Sequence, residues 1–332
     1  MSGGYVPYHL RQNKYIDRQL FLDLLLKIHR FRSLSKHAYI GFGGASLEDF
    51  KIVHSYFGTK RMISIEENGE VHKRQKFNSP VKCIECRLES SSDFVGSYSV
   101  NGNAVIWLDY SSPEPRQQLQ EFQALLPKLR RYDVLKITLN ANLETIRSTQ
   151  SLVRDDIPPE KWTAERLKTL QEKFEDLLPD GIEAQSMTEK KYPRVLCEAA
   201  VYAGNMAMDG QENIFYPLTA FTYADSSHRM LTYVGIVIQE DELKLFLKET
   251  DIEKWPFRYD VTSSPILITV PALTIREKLF IDSRLPAKRT KSETLQKKLG
   301  FLFDDDEDRS LEMLSNYMLL YREYPNFSEI LI

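Results

Sequence analysis

The sequence has few cysteines and no long apolar run. Its 332 residues include only three cysteines, Cys83, Cys86 and Cys197, and three cannot all pair with one another. No apolar stretch reaches the roughly 18 residues of a membrane span, and no basic segment followed by an apolar core opens the chain. We therefore expect a soluble cytoplasmic protein in a reducing compartment, with no membrane partner.

A strong excess of either charge is also missing. The chain has 44 Lys and Arg against 47 Asp and Glu, a net charge of -3. Proteins that bind long stretches of nucleic acid usually carry a basic face, because phosphate neutralisation dominates their affinity. The basic clusters at 128–131 and 288–291 are short, and such clusters are typical of solvated faces. Nucleic acid is therefore not favoured as a partner.

Short apolar strands alternate with helical segments in the first part of the chain. An apolar stripe predicts a helix from Asp17 to Phe31. Alternation of strands and helices is typical of a parallel sheet that helices cover on both faces. The predicted strands are residues 37–40, 62–65, 81–86, 104–108 and 133–139.

The alternation changes after Asn140. Helices are predicted at 158–178 and 194–208, and two strand-like runs, 214–223 and 230–238, read as a hairpin across a short connection rich in Asp and Ser. From this pattern we predict three parts: an N-terminal helical segment (1–36), an α/β domain (37–240) with a helical insertion or lid (141–213), and a mostly helical C-terminal extension (241–332).

A glycine turn follows the first predicted strand. Gly41-Phe42-Gly43-Gly44 leads into a helix near Leu47. Glycine there lets a ligand approach the backbone and presents amide groups, although tight turns also need glycine for structural reasons alone. Glu66 ends the second strand roughly 25 residues later. Nucleotide-binding α/β folds place a carboxylate there for the ribose hydroxyls, and a plain surface carboxylate is the alternative.

The order of these elements resembles the class I S-adenosylmethionine-dependent methyltransferases from about Leu20 to Ile238. The third glycine of the dinucleotide fingerprint is replaced by Ser46, which disfavours a dinucleotide enzyme. The resemblance implies an α/β fold with a Rossmann-like sheet, mostly parallel, in which the terminal hairpin adds one antiparallel strand. The runs from Tyr8 to Arg18, 62–66 and 107–110 resemble, more particularly, a little-studied bacterial group of O-methyltransferases.

The resemblance also implies a cofactor and its site. The cofactor is S-adenosylmethionine, with Gly41, Phe42 and Gly43 around its methionine part and Glu66 on its ribose. The fourth strand of this family ends beside the transferred methyl group. The resemblance therefore places Asp109 against the cofactor as well.

The same strand end is the predicted reaction centre. The resemblance assigns Asp109 and Tyr110 as catalytic residues, and Asp109 is expected to hold or deprotonate the acceptor. Asp109 with Asn140 or Asn142 partly imitates the magnesium site of catechol-type methyltransferases, but one carboxylate with amides binds a divalent ion weakly. No metal is predicted, and Cys83 with Cys86 lack the second pair that a zinc site needs.

Two departures from the family pattern keep the function open. Tyr39 stands where the family usually has an acid, and Glu85, Arg87 and Glu89 compete for the third-strand position near the adenine. The leading hypothesis is methyl transfer to an unknown acceptor, a small molecule or a protein, with oxygen as one candidate atom. The alternatives are a catalytically inactive methyltransferase-like scaffold subunit of a larger bacterial protein complex, and an enzyme of nucleic-acid modification.

Overall fold

The computed structural model describes residues 11–146, 159–224, 228–286 and 291–326. The described chain forms two compact units, a larger one containing residues 22–146, 159–222 and 228–266, and a smaller one containing residues 11–21, 223–224, 267–286 and 291–326. The connection 225–227, most of the basic cluster 288–291 and residues 8–10 lie outside the described residues. The predicted division into three parts stays a prediction.

The elements follow the predicted alternation. They are α1 (Gln12–Phe31), β1 (Ala38–Gly41), α2 (Glu48–Phe57), β2 (Met62–Glu66), α3 (Gly69–Asn78), β3 (Ile84–Leu88), α4 (Ser91–Ser97), β4 (Ala104–Asp109), α5 (Pro115–Leu125), β5 (Val134–Asn140), α6 (Pro159–Phe174), α7 (Tyr192–Met208), β6 (Ile214–Ala224), β7 (Arg229–Ile238), α8 (Glu240–Thr250), β8 (Ile266–Ile268), α9 (Ile275–Asp282), α10 (Ser292–Leu299) and α11 (Glu307–Leu320).

One mixed sheet organises the fold. Its strand order is β3-β2-β1-β4-β5-β7-β6-β8. The strands from β3 to β5 pair in parallel, and β7 pairs antiparallel with β5. The predicted α/β class, with a mostly parallel Rossmann-like sheet and one antiparallel strand from the hairpin, is confirmed.

The bounds of β3 differ from the sequence prediction. The strand was expected at 81–86 and lies at Ile84–Leu88. Residues 81–83 form a turn instead, in which the amide of Ile84 donates to the carbonyl of Val81 at 3.4 Å. The preceding Pro80 has no amide hydrogen for a sheet ladder, which favours a late start of the strand.

The two faces of the sheet differ in polarity. On one face, Ile40, Ile106 and Ile137 belong to the main apolar core. On the other face, the indole of Trp107 donates to Thr138 Oγ1 at 3.0 Å, and Lys136 Nζ lies 3.6 Å from the Trp107 ring centroid. Alternate residues of a strand point to opposite faces, so this buried polar row lies in line with Asp109 at the end of β4.

Helices α6 and α7, which lie between β5 and β6 in the chain, pack onto the apolar core. Leu170 and Phe174 of α6, and Leu196 of α7, are buried in it. Outside the core, Lys173 Nζ donates to the carbonyl of Thr145 at 2.9 Å. The expectation that residues 141–213 form a helical insertion or lid stays a prediction.

The smaller unit is mostly helical. Thr274 and Glu277 form a reciprocal capping box at the start of α9. Tyr317 of α11 donates to Asp282 at 2.7 Å and so joins α11 to the end of α9. Among the described residues of the whole chain, no helix combines the length and apolarity needed to span a bilayer.

Gly235 in β7 is expected to be a stability-determining position. A Cβ there would lie 2.4 Å from Cζ of Phe215 and 2.8 Å from the carbonyl oxygen of Tyr216. Gly235→Ala should lower the free energy of unfolding by about 1–3 kcal/mol, because overpacking forces neighbours out of their preferred positions. Urea denaturation followed by circular dichroism measures the change.

Gly96→Ala is the matched control. Gly96 lies in α4, and an added Cβ there meets no heavy atom within 4 Å. This control should leave stability unchanged or raise it slightly, since alanine restricts the unfolded chain. Equal stability of the Gly235→Ala variant and the wild type would contradict the prediction.

Candidate functional site

The candidate site lies at the carboxyl ends of three neighbouring strands. β1 pairs with both β2 and β4, and Gly41 lies in register with Ser64 on one side and Trp107 on the other. Glu66 and Asp109 each lie two residues beyond those partners. The sheet therefore brings the glycine turn, Glu66 and Asp109 to one edge, where open α/β sheets bind their ligands.

The protein's own packing explains why the turn needs glycine. A Cβ at Gly41 would lie 2.7 Å from the carbonyl oxygen of Trp107. At Gly43 it would lie 2.2 Å from Cδ2 of Leu47 and 2.6 Å from Oγ of Ser64. The Gly43 amide also donates to Ser64 Oγ at 3.2 Å. The contact at Gly41 is with backbone, so structural need accounts for that glycine, whereas the contacts at Gly43 are with the ends of side chains. The role of both glycines toward a ligand stays a prediction.

The start of α2 separates two kinds of cofactor. Leu47 precedes the helix in the left-handed conformation, and Glu48 and Asp49 occupy its first turn. Dinucleotide-binding folds place a pyrophosphate at the corresponding helix N-terminus, where two carboxylates would repel it. S-adenosylmethionine carries one carboxylate balanced by an ammonium and no phosphate, so an acidic first turn disfavours it less than a dinucleotide.

Glu66 is a buried carboxylate with spare acceptor capacity. Its side chain is 8% exposed, and Oε1 accepts from the Asn68 amide at 2.9 Å. A carboxylate has about four lone-pair positions, so acceptor sites remain for hydroxyl donors. Burial raises the pKa of Glu66 above its usual value of 4.5. This arrangement fits a ribose, although the ribose role itself stays a prediction.

The Tyr110 ring contacts the glycine turn, and its hydroxyl is hydrogen-bonded to Glu121 of α5. Its ring contacts that of Phe42 edge to face, with centroids 5.4 Å apart. Its hydroxyl donates to Glu121 Oε2 at 2.6 Å. Burial, and after it the charge of Glu121, raise the pKa of Tyr110 well above its usual value of 10. Tyr110 therefore stays protonated and lines the site. Its catalytic role stays a prediction.

Glu121 is a residue of this site that the sequence alone did not reveal. It lies on α5 one residue before the buried Phe122 and four before the buried Leu125. A charged residue on the core-facing side of an amphipathic helix is the signal that points to it. Its partner Tyr110 follows a different element, so the pairing itself is not visible in local sequence.

The residues around β3 have different surroundings. Glu85 and Arg87 form an ion pair with each other, with Arg87 Nε 2.8 Å from Glu85 Oε1. Glu89 follows the end of β3, and its amide donates to the carbonyl of Glu66 at 3.2 Å. Of the three residues that competed for the adenine position, Glu89 lies beside Glu66.

The amide oxygens of Asn140 and Asn142, which partly imitate a magnesium site, each accept a hydrogen bond from a backbone amide. Asn140 Oδ1 accepts from the Asn142 amide at 2.9 Å, and Asn142 Oδ1 accepts from the Glu144 amide at 3.1 Å. Within the residues that the structure describes, no group of three or more His, Cys, Asp or Glu side chains is placed to hold a metal ion. Cys83 and Cys86 are free thiols.

The strand order, the closing hairpin and the edge described above define a class I S-adenosylmethionine-dependent methyltransferase fold. The chain belongs to the family described as "Putative O-methyltransferase", whose model matches residues 6–332. The protein is accordingly an S-adenosylmethionine-dependent methyltransferase whose acceptor is unknown. Its cosubstrate is S-adenosylmethionine.

Solved methyltransferase structures are similar to this chain at low identity. The O-methyltransferase TomG from Streptomyces achromogenes is 12% identical over 66% of this chain and 79% of its own, with a TM-score of 0.37. The N-methyltransferase NodS from Bradyrhizobium japonicum is 9% identical over 68% of this chain and 97% of its own, with a TM-score of 0.36. No curated protein matches the chain.

The raised pKa of Glu66 predicts a pH dependence of stability in the unliganded protein. The stability that such a carboxyl contributes is fully present below its unfolded pKa, ordinarily 4.5, and is lost as pH rises through the folded pKa. Glu66→Gln stays neutral, so the variant should gain stability relative to the wild type as pH rises from about 4 to about 7. Urea denaturation at several pH values measures this difference.

Glu249→Gln serves as the charge-matched control, because it removes an exposed carboxylate from α8. The difference in free energy of unfolding between Glu249→Gln and the wild type should change less with pH than the difference between Glu66→Gln and the wild type. A constant difference between Glu66→Gln and the wild type over this range would contradict the assignment of the burial effect to Glu66.

Proposed function

We propose that this methyltransferase binds its cofactor between the glycine turn and Glu66 and transfers the methyl group to an acceptor held at Asp109. The observation that carries the proposal is the convergence of these three elements at the carboxyl ends of β1, β2 and β4. The family assignment favours an oxygen atom as the acceptor.

Each part of the cofactor has a candidate partner. Glu66 would accept hydrogen bonds from the ribose hydroxyls through its remaining lone pairs. Glu89, beside Glu66, is the candidate for the adenine. Gly41, Phe42 and Gly43 would surround the methionine part, with the Phe42 ring supplying an apolar surface.

The chemistry asked of the chain is mainly positioning. When bound, S-adenosylmethionine supplies a methyl group attached to a positively charged sulfur. After the transfer, that sulfur is a neutral thioether in the demethylated product. Asp109 would orient the acceptor hydroxyl in line with that methyl group and take up the hydroxyl proton as the new oxygen–carbon bond forms. Tyr110, protonated and bonded to Glu121, would shape the wall of the site rather than move a proton.

The acceptor and the cellular setting are further parts of the proposal. We propose a small molecule or a protein as the acceptor and a cytoplasmic location. The three free cysteines are consistent with a reducing compartment. A role in a larger protein complex and a nucleic-acid acceptor remain the alternatives that the experiments below separate.

Glu66→Ala tests the cofactor site. The change removes charge-assisted hydrogen bonds to the ribose, so S-adenosylmethionine should bind more weakly by about 1.5–3 kcal/mol. Isothermal titration calorimetry measures the dissociation constant. Exposed Glu67 gives the matched control, since Glu67→Ala removes the neighbouring carboxylate and should bind the cofactor as the wild type does. Equal affinities of folded Glu66→Ala and wild type would place the ribose site elsewhere.

Asp109→Asn separates an enzyme from a scaffold. Turnover should fall about 10²–10⁴-fold while the cofactor dissociation constant stays close to that of the wild type, because a positioned acid or base contributes in this range. The assay follows transfer of labelled methyl from the cofactor to fractions of cell extract containing proteins, nucleic acids or small molecules.

Asp180→Asn, which changes an exposed loop carboxylate, is the control. Equal labelling by Asp109→Asn and wild type would refute the role of Asp109. Absence of labelling by the wild type would favour the scaffold.

A further inference from the structure

Glu121 is a buried carboxylate surrounded by neutral hydrogen-bond donors. Its side chain is 6% exposed. Oε1 accepts from Ser92 Oγ at 2.6 Å and from Gln117 Nε2 at 3.1 Å, while Oε2 accepts from the Tyr110 hydroxyl at 2.6 Å. Both oxygens act as acceptors and the two contacts from hydroxyl groups are short, which is the hydrogen-bond pattern of a carboxylate anion.

The charge of Glu121 has no cationic partner in the part of the chain that the structure describes. Arg116, on the same helix, pairs with Glu175 instead. Hydrogen bonds from neutral groups stabilise a buried anion but leave its negative charge in place. A net negative charge therefore persists behind the wall of the site.

An aromatic pair connects this charge to the glycine turn. Tyr110 donates to Glu121, and the Tyr110 ring contacts the Phe42 ring at an interplanar angle of 73°. Phe42 lies between Gly41 and Gly43, where the methionine part of the cofactor is proposed to bind. Aromatic faces attract cations, and a phenol that donates to an anion carries more electron density in its ring.

We propose that Glu121 is a positioning residue that, through Tyr110 and Phe42, makes the site prefer the positively charged sulfonium of S-adenosylmethionine to the neutral thioether of the demethylated product. The inference rests on the proposed function. The two ligands differ by one methyl group and one positive charge at the same sulfur. An aromatic ring made more electron-rich by the hydrogen bond to Glu121 attracts only the charged ligand, so methyl transfer itself weakens binding of the cofactor and favours product release.

The test compares the dissociation constants of three ligands by isothermal titration calorimetry. They are S-adenosylmethionine, its demethylated product, and an analogue with an ammonium group in place of the sulfonium. Glu121→Gln keeps the shape of the side chain but removes its charge. We expect this variant to bind both cationic ligands about three- to tenfold more weakly, the range of a cation–π contact, and to bind the product within about twofold of the wild type.

Two further variants test the route through Tyr110. Tyr110→Phe should also weaken the cationic ligands selectively, because its ring has no hydroxyl to donate to the anion. The double variant should match Glu121→Gln alone, since without the carboxylate the hydroxyl has no anion to polarise it. Glu114→Gln, at the exposed start of α5, removes one charge near the same helix and should leave all three affinities unchanged.

The outcomes separate this inference from the proposed function. Equal weakening of cationic and neutral ligands in Glu121→Gln would assign Glu121 a structural role and overturn the inference, while leaving the cofactor site intact. A wild-type protein that binds none of the three ligands would overturn the proposed function and the inference together. Tyr110→Phe removes only one oxygen atom, so it keeps the test available if Glu121→Gln does not fold.

Discussion

The close approach of Gly41 to the carbonyl oxygen of Trp107 is the constraint on which the site depends. A Cβ at Gly41 would lie 2.7 Å from that oxygen, so only glycine allows β1 to end against β4 at this separation. Because β1 also pairs with β2, the end of β1 fixes where Glu66 and Asp109 lie relative to the turn. The same contact therefore serves the stability of the sheet and the geometry of its ligand-binding edge.

Local patterns were sufficient to predict the fold and to name candidate site residues, whose roles stay predictions. The apolar strands, the glycine turn and the acid at the end of β2 each lie within a few consecutive residues, and a parallel sheet places such strand ends at one edge. The hairpin was also predictable from the sequence, because two strand-like runs flank a short polar connection. The start of β3 was wrong by three residues, since the turn before Ile84 competes with pairing.

Contacts between distant segments were not predictable in the same way. Ser92 and Glu121 are 29 residues apart, and Tyr110 reaches Glu121 from the end of another element. The competition among Glu85, Arg87 and Glu89 also needed coordinates. Arg87 lies within ion-pair distance of Glu85, at 2.8 Å, and of Glu89, at 3.9 Å, and the Glu89 amide donates to the carbonyl of Glu66. Sequence identifies candidate groups, whereas side-chain partners depend on how helices pack.

Two features of charge at this edge point in the same direction. At the start of α2, Glu48 and Asp49 make the helix N-terminus unfavourable for phosphate. Behind the aromatic pair lies the buried carboxylate of Glu121, hydrogen-bonded to Tyr110. The pyrophosphate of a dinucleotide would meet acidic residues at the first position, whereas S-adenosylmethionine has no phosphate, and in the proposed scheme its sulfonium is favoured by the second. Charge selectivity can thus supply the discrimination that the glycine turn, which the protein needs for its own packing, does not provide.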